Sequence, residues 1–190
     1  MKRPVPLAVA AAFLLLAGCG NERVVSDLPA PAYTPGELAY AASDRDLRVV
    51  IHGNPFGGDG ERFGDRVTDY MQNHVFGVRT HFTIRPDQTA RPDYRVVLAF
   101  NPAQNTLNSE LCRNAAIPTR PPGGAIVVQG AFCRGGGALT SATGWLDEVK
   151  TMEDPDFRQL IGDLTFSLFP TKRAEADDRL DHPVFRRSRP

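Results

Sequence analysis

Residues 125–145 read Ala125-Ile126-Val127-Val128-Gln129-Gly130-Ala131-Phe132-Cys133-Arg134-Gly135-Gly136-Gly137-Ala138-Leu139-Thr140-Ser141-Ala142-Thr143-Gly144-Trp145. Two short runs rich in β-branched and apolar residues flank a glycine-rich turn. The spacing predicts an antiparallel hairpin, with strands over Ala125 to Phe132 and Ala138 to Trp145, and with Gly144 weakening the end of the second. The period then changes. Asp154-Pro155 offers an N-cap and a first-turn proline, and Phe157, Leu160, Ile161, Leu164 and Leu168 recur at helical spacing as far as Pro170. A helix with one apolar stripe, following strands with an apolar face, has to bury that stripe on the sheet.

The region upstream repeats the pattern. Leu47, Val49 and Ile51 alternate with Arg48, Val50 and His52, as in a strand with one better-buried face. Gly53-Asn54-Pro55-Phe56-Gly57-Gly58-Asp59-Gly60 breaks regular structure. Phe63, Val67, Tyr70, Met71 and His74 then predict a helix over 61–76, which Gly77 would end in a left-handed cap. Val78 to Ile84 alternates again, a turn runs from Arg85-Pro86-Asp87 to Arg91-Pro92-Asp93, and Tyr94 to Phe100 is apolar. This predicts a further hairpin. Residues 101–123 form a long Pro-rich connection, a length that asks for an explanation inside a compact domain. The resulting order, β-α-β-β-β-β-α, belongs to the α+β class: a two-layer sandwich of a mainly antiparallel sheet with two amphipathic helices on one face. The second sheet face is left uncovered, a natural place for a partner to dock.

The chain has 190 residues, 42% of them hydrophobic and 23% charged, enough for one packed domain and too apolar for a disordered chain. Basic and acidic residues balance at 22 each, so no overall field argues for nucleic acid. Residues 1–18, with Lys2 and Arg3 ahead of an apolar run from Leu7, have the plan of a signal peptide. Leu16-Ala17-Gly18-Cys19 resembles the lipobox of bacterial lipoproteins. That resemblance implies cleavage before Cys19, acylation of its thiol and new terminus with chains such as palmitate, and a membrane anchor made effectively permanent by several acyl chains. Under the enterobacterial sorting rule, Gly20 in place of Asp implies the outer membrane, at its periplasmic face. Residues 19–45, with Pro29, Pro31 and Pro35, read as a lipidated N-terminus and Pro-rich tether; 46–170 as the folded domain; and 171–190 as a charged, disordered tail.

The two cysteines left after lipidation, Cys112 and Cys133, lie in an oxidising compartment on this reading and are expected to form a disulfide worth about 3 kcal/mol. The glycine loop, Gly57, Gly58 and Gly60, is the one candidate ligand-binding feature, lying between a strand and a helix N-terminus where backbone N–H groups could hold an anion. It matches neither the dinucleotide nor the P-loop spacing, and Asp59 and Glu61 would themselves occupy the positive end of the helix dipole. His52, His74 and His81 fall close in sequence, but the apolar alternation keeps them from converging, so no metal and no cofactor are expected. None of the G-x-S-x-G or H-E-x-x-H patterns is present, and Ser141 reads as a strand hydroxyl. A triad assembled from distant residues stays open. Trp145 reads as core. The tail arginines Arg186, Arg187 and Arg189 read as a solvated end, with an acidic surface as the alternative partner.

Arg91-Pro92-Asp93-Tyr94-Arg95-Val96-Val97, Phe100-Asn101-Pro102, Ala131-Phe132-Cys133-Arg134-Gly135 and Leu168-Phe169-Pro170, together with the lipobox, resemble envelope lipoproteins of proteobacteria that carry no assigned activity. No functional residue is transferred from them. A likeness of topology only, to small α+β envelope lipoproteins, implies an accessory role in transport or assembly. The expectation is a lipid-anchored, non-enzymatic binding or accessory module with an envelope protein partner. The alternatives are a small-molecule or lipid carrier with its pocket between sheet and helices near the 53–64 loop, and a hydrolase without a recognisable motif.

Overall fold

A computed structural model describes residues 22–103, 106–113 and 116–172. The elements are β1 (Glu22–Ser26), α1 (Pro35–Ala42), β2 (Arg45–His52), α2 (Gly60–Met71), β3 (Thr80–Thr83), β4 (Tyr94–Phe100), a 3-10 turn (Asn108–Glu110), β5 (Ile126–Arg134), β6 (Gly137–Leu146) and α3 (Pro155–Leu168). The strands form one open sheet in the order β1-β6-β5-β4-β2-β3, and the fold is a two-layer α+β sandwich. β1, β6, β5 and β4 pair antiparallel, whereas β4-β2 and β2-β3 are parallel, so the sheet is mixed.

The helices pack on the face carrying Val49, Val96, Leu98, Val128 and Phe132. Phe56, Phe63, Phe100 and Phe157 meet there with ring centroids 4.9–6.1 Å apart. They lie between sheet and helices beside the 53–64 loop, where a carrier's pocket was expected. α3 lies so close to the sheet that a Cβ on Gly144 would stand 2.7 Å from Leu160 Cδ1. Gly144 is therefore a seat for the helix inside β6, not a weak end of the strand.

Three sequence expectations are corrected. The tether does not run to residue 45: the described fold begins at Glu22, with β1 on the edge of β6 and α1 behind it. Pro35 looked like a breaker but occupies the first turn of α1, where a missing N–H costs nothing, and the Thr34 side chain caps Glu37 N at 2.9 Å. Tyr33, 1% exposed, is buried and donates to Pro170 O at 2.7 Å. Second, β3 and β4 are not a hairpin, because β2 lies between them. The ladders are staggered: Arg45 to Arg48 pair with Thr80 to Thr83, and Arg48 to His52 with Arg95 to Ala99. The link 84–93 can thus cross β2 without returning along a strand, and it is tied to Asp46 through Asp87 N at 2.8 Å and Thr89 Oγ1 at 3.0 Å. Third, α2 ends at Met71, where Asn73 takes the left-handed conformation (φ 65°), well before Gly77. The side chain of Gln72 bonds both the backbone N–H and carbonyl of Phe82, at 3.3 and 2.8 Å, which blunts the edge of β3.

Candidate functional site

The connection from β4 to β5 folds back across the sheet face that the helices leave free. Its two arms are joined by Ala103 N to Pro118 O (2.9 Å) and Arg120 N to Asn101 O (2.8 Å). Leu111 and Ile117 are buried against Val97, Ala99 and Ala131. Cys112 is bonded to Cys133 of β5, with the Cα atoms 5.6 Å apart. The second face is accordingly not bare, as the sequence suggested, but partly roofed by a segment stapled to its centre. The staple also accounts for the length of the connection.

Between this roof and residues 27–30 lies a groove of about 580 Å³ over β5 and β6. Its polar network is centred on Asp27: Ser141 Oγ donates to Asp27 Oδ2 at 2.6 Å, and Asn108 Nδ2 donates to the same oxygen at 2.7 Å. Asn108 Nδ2 also lies 3.0 Å from Thr143 Oγ1. Gln129 donates through Nε2 to Thr106 O at 3.1 Å, while its Oε1 is buried and accepts no hydrogen bond from the described residues. At the rim, Leu28 is 93% exposed and Leu107 60% exposed. The groove can bury apolar groups and accept hydrogen bonds from N–H or cationic donors at the Asp27 carboxylate.

The residues singled out from the sequence take separate places. Gly57 and Gly58 adopt φ of 71° and 76° in the turn before α2, as that turn requires. Gly60 opens α2, whose first amides, Glu61 N and Arg62 N, already donate to Asp59 Oδ1 at 2.9 and 3.3 Å. His52 lies at the end of β2 on the roofed face, and burial pushes its pKa below the usual imidazole value. His74 packs over Gly162 of α3 on the opposite face, and His81 Nδ1 lies 2.8 Å from Asp46 Oδ1 at the sheet edge. The structure does not bring the three together. Trp145 is half-buried under the Arg23 guanidinium, 4.4 Å from the ring centroid. Cys19 and the arginines of the tail lie outside the described residues. No helix among the described residues is long and apolar enough to cross a membrane.

Asp27, Asn108 and Gln129 were not found from the sequence. Asp27 fell in the presumed tether and Asn108 in the long loop, so neither belonged to a periodic pattern. Gln129, a polar residue inside an apolar run, was the available signal.

No protein-family model matches the sequence, and no curated protein matches it. Among solved structures, the PelC dodecamer from Paraburkholderia phytofirmans (space group P6) is similar over 80% of this chain and 99% of that chain, with a TM-score of 0.45 and 14% identity. A substituted form of PelC in space group C2 gives the same coverage and TM-score with 13% identity.

Proposed function

We propose that the chain is a lipid-anchored envelope module that binds a partner protein in the groove between residues 27–30 and the disulfide-stapled roof. The observation that carries the reading is the groove: about 580 Å³, with Leu28 and Leu107 exposed at its rim and an acidic, acceptor-rich floor. It suits a partner segment that presents an apolar side chain next to a lysine, an arginine or free backbone N–H groups. Lipidation at Cys19 is the notion the lipobox supports, with the periplasmic face of the outer membrane as the proposed location. Because β1 starts at Glu22, three residues from Cys19, the chain between lipid and domain spans at most about 10 Å. On this reading the domain sits at the membrane surface, not at the end of a tether.

In-cell photo-crosslinking from position 107, read by mass spectrometry of fractionated envelopes, tests the proposal. The expected result is one reproducible envelope protein, its yield falling in Asp27→Ala, and a Cys19→Ser chain released from the membrane fraction. Crosslinks to lipid alone, or yields that Asp27→Ala leaves unchanged, overturn the groove as a protein site. A Cys19→Ser chain that stays with membranes overturns the anchor.

A further inference from the structure

A second depression lies on the same sheet face, at the other end of the roof. It has a volume of about 380 Å³ and is lined by Arg48, His52, Arg95 and Arg113 around the side chains of Val50 and Val97. The register brings these charges together. Arg48 of β2 and Arg95 of β4 are direct partners on adjacent parallel strands. Like charges placed side by side across a ladder oppose sheet formation, so the pairing is unfavourable in isolation.

The third arginine is delivered by the disulfide. Arg95 is the register partner of Cys133, Cys133 is bonded to Cys112, and Arg113 follows Cys112 in the chain. The Arg95 guanidinium is fixed by two carbonyls, with Nη2 donating to Cys112 O at 2.6 Å and Nη1 to Gly135 O at 2.9 Å. Carbonyls orient the group and leave its charge unneutralised. Arg62, Arg66, Arg79, Arg85 and Arg134 each have a carboxylate within 4.0 Å, while Arg23, Arg45, Arg91, Arg120 and Arg158 stand apart from one another without one among the described residues. Among the described residues Arg48, Arg95 and Arg113 have none, and no carboxylate lines the depression. Val97, 2% exposed, sits in the lining and lowers the local dielectric, which strengthens the attraction of any anion that enters.

We propose that Arg48, Arg95 and Arg113, with His52 at their side, form a binding site for a phosphoryl group. Three forked cations approaching from two strands and a loop match a tetrahedral oxyanion with three free oxygens better than a planar carboxylate, which two forks saturate. Bound phosphate also removes the repulsion between Arg48 and Arg95. The same chemistry is offered by a soluble phosphate monoester and by a phosphomonoester lipid headgroup such as that of phosphatidic acid. This site is separate from the protein-binding groove and does not depend on it.

The test is calorimetric titration of the full chain in detergent with inorganic phosphate, at constant ionic strength set with chloride. Saturable binding is expected, weakened about tenfold or more in Arg48→Ser and in Arg113→Ser, since each removes one charge-assisted contact. Arg120→Ser, which lies outside the depression, should bind as the parent does. The thermal midpoint without phosphate separates binding loss from misfolding. Arg48→Ser should match or exceed the parent there, because it relieves a like-charge pair, and phosphate should raise the midpoint of the parent and not of the variant. A repeat titration in phosphatidylcholine vesicles with and without phosphatidic acid identifies the source: abolition by phosphatidic acid assigns the site to headgroups, and retention assigns it to soluble phosphates. No saturable binding, or binding equal in parent, Arg48→Ser and Arg113→Ser, overturns the proposal.

Discussion

Replacing Cys112 and Cys133 together by alanine removes the staple without leaving a buried thiol or hydroxyl, since both side chains are buried. The bond closes a loop with a sequence separation of 21 residues, and releasing that constraint from the unfolded chain is worth about 3 kcal/mol. The roof is also held by two buried side chains, Leu111 and Ile117, at about 1.5–3 kcal/mol each, and by hydrogen bonds from Arg95 to Cys112 O, from Gln129 to Thr106 O and from Asn108 to Asp27. The bond is thus comparable to one buried side chain among several anchors of this segment. Two readouts follow. For a domain of this size about 3 kcal/mol corresponds to a fall in thermal midpoint of about 6–12 °C, measurable by circular dichroism. Locally, the amides of Leu111, Arg113 and Arg120, which donate to Asn108 O, Glu110 O and Asn101 O, open with the roof, and their hydrogen exchange should quicken on the order of a hundredfold. Amides of α3 that open only with the whole domain should quicken by that same factor, while those that open by local fraying should not change, because α3 and its sheet contacts do not touch the staple. A midpoint lowered by less than about 2 °C, with unchanged exchange across 106–120, would refute the reasoning. It would mean that the roof is held by its apolar contacts and hydrogen bonds without the disulfide.

Other tests address the helix layer and its attachments. Gly144→Val should lower stability by about 1–3 kcal/mol in urea unfolding, because its Cβ would meet Leu160 Cδ1 at 2.7 Å and Val128 Cγ1 at 3.1 Å, whereas Gly136→Ala, with nothing within 4 Å, should change it by no more than about 1 kcal/mol. Burial pushes the Tyr33 phenol up to about 12, so the folded state favours its neutral form. That contribution is complete below the ordinary value near 10 and is lost as pH rises toward 12, and Tyr33→Phe should flatten the alkaline limb of a stability–pH curve. The Glu37 carboxyl is held below its ordinary range chiefly by the Tyr94 hydroxyl, 2.5 Å away, and then by Arg134 at 2.6 Å. Its contribution is present above the ordinary carboxylate pKa and lost as pH falls through the lowered one; Glu37→Gln should remove that acid dependence and loosen α1, as seen by hydrogen exchange.

The last two strands and α3 were legible because each is long, keeps one period and has punctuation at its ends. Gly135 takes φ 55° at the turn between β5 and β6, and Asp154 caps Asp156 N at 2.9 Å at the start of α3. β1 and α1 were not legible. β1 contributes Val24 and Val25 in a five-residue strand whose pairing with β6 is wholly non-local, and α1 turns two small alanines and one leucine inward, too little for a periodic signal over eight residues. Position in the sheet was lost for a different reason. Alternation shows that 80–83 and 94–100 are strands, but parallel or antiparallel pairing depends on where the link 84–93 runs. That path is decided by Asp46, which bonds both His81 and the link.

The two candidate sites show the same division. The bond between Cys112 and Cys133 could be anticipated by counting cysteines, and once drawn it places Arg113 beside the partner strands of Cys133. The pairing of Arg48 with Arg95 could not be anticipated, because it needs the order of β2 and β4. Each arginine alone is an ordinary polar residue between apolar neighbours, in Leu47-Arg48-Val49 and Tyr94-Arg95-Val96. What the sequence does record is that both stand in the same phase, one residue after a buried side chain that faces the helices. Strands in register share a face by parity, so two arginines in equal phase on neighbouring strands must project to the same side. The disulfide then decides which side that is, because Cys133 has the same parity as Arg95 and is bonded to the roof. A cysteine pair that ties a loop to a sheet therefore fixes the surroundings of every side chain of its own parity on the adjoining strands, and a cluster of unpaired charge there is set by the same covalent bond that holds the loop in place.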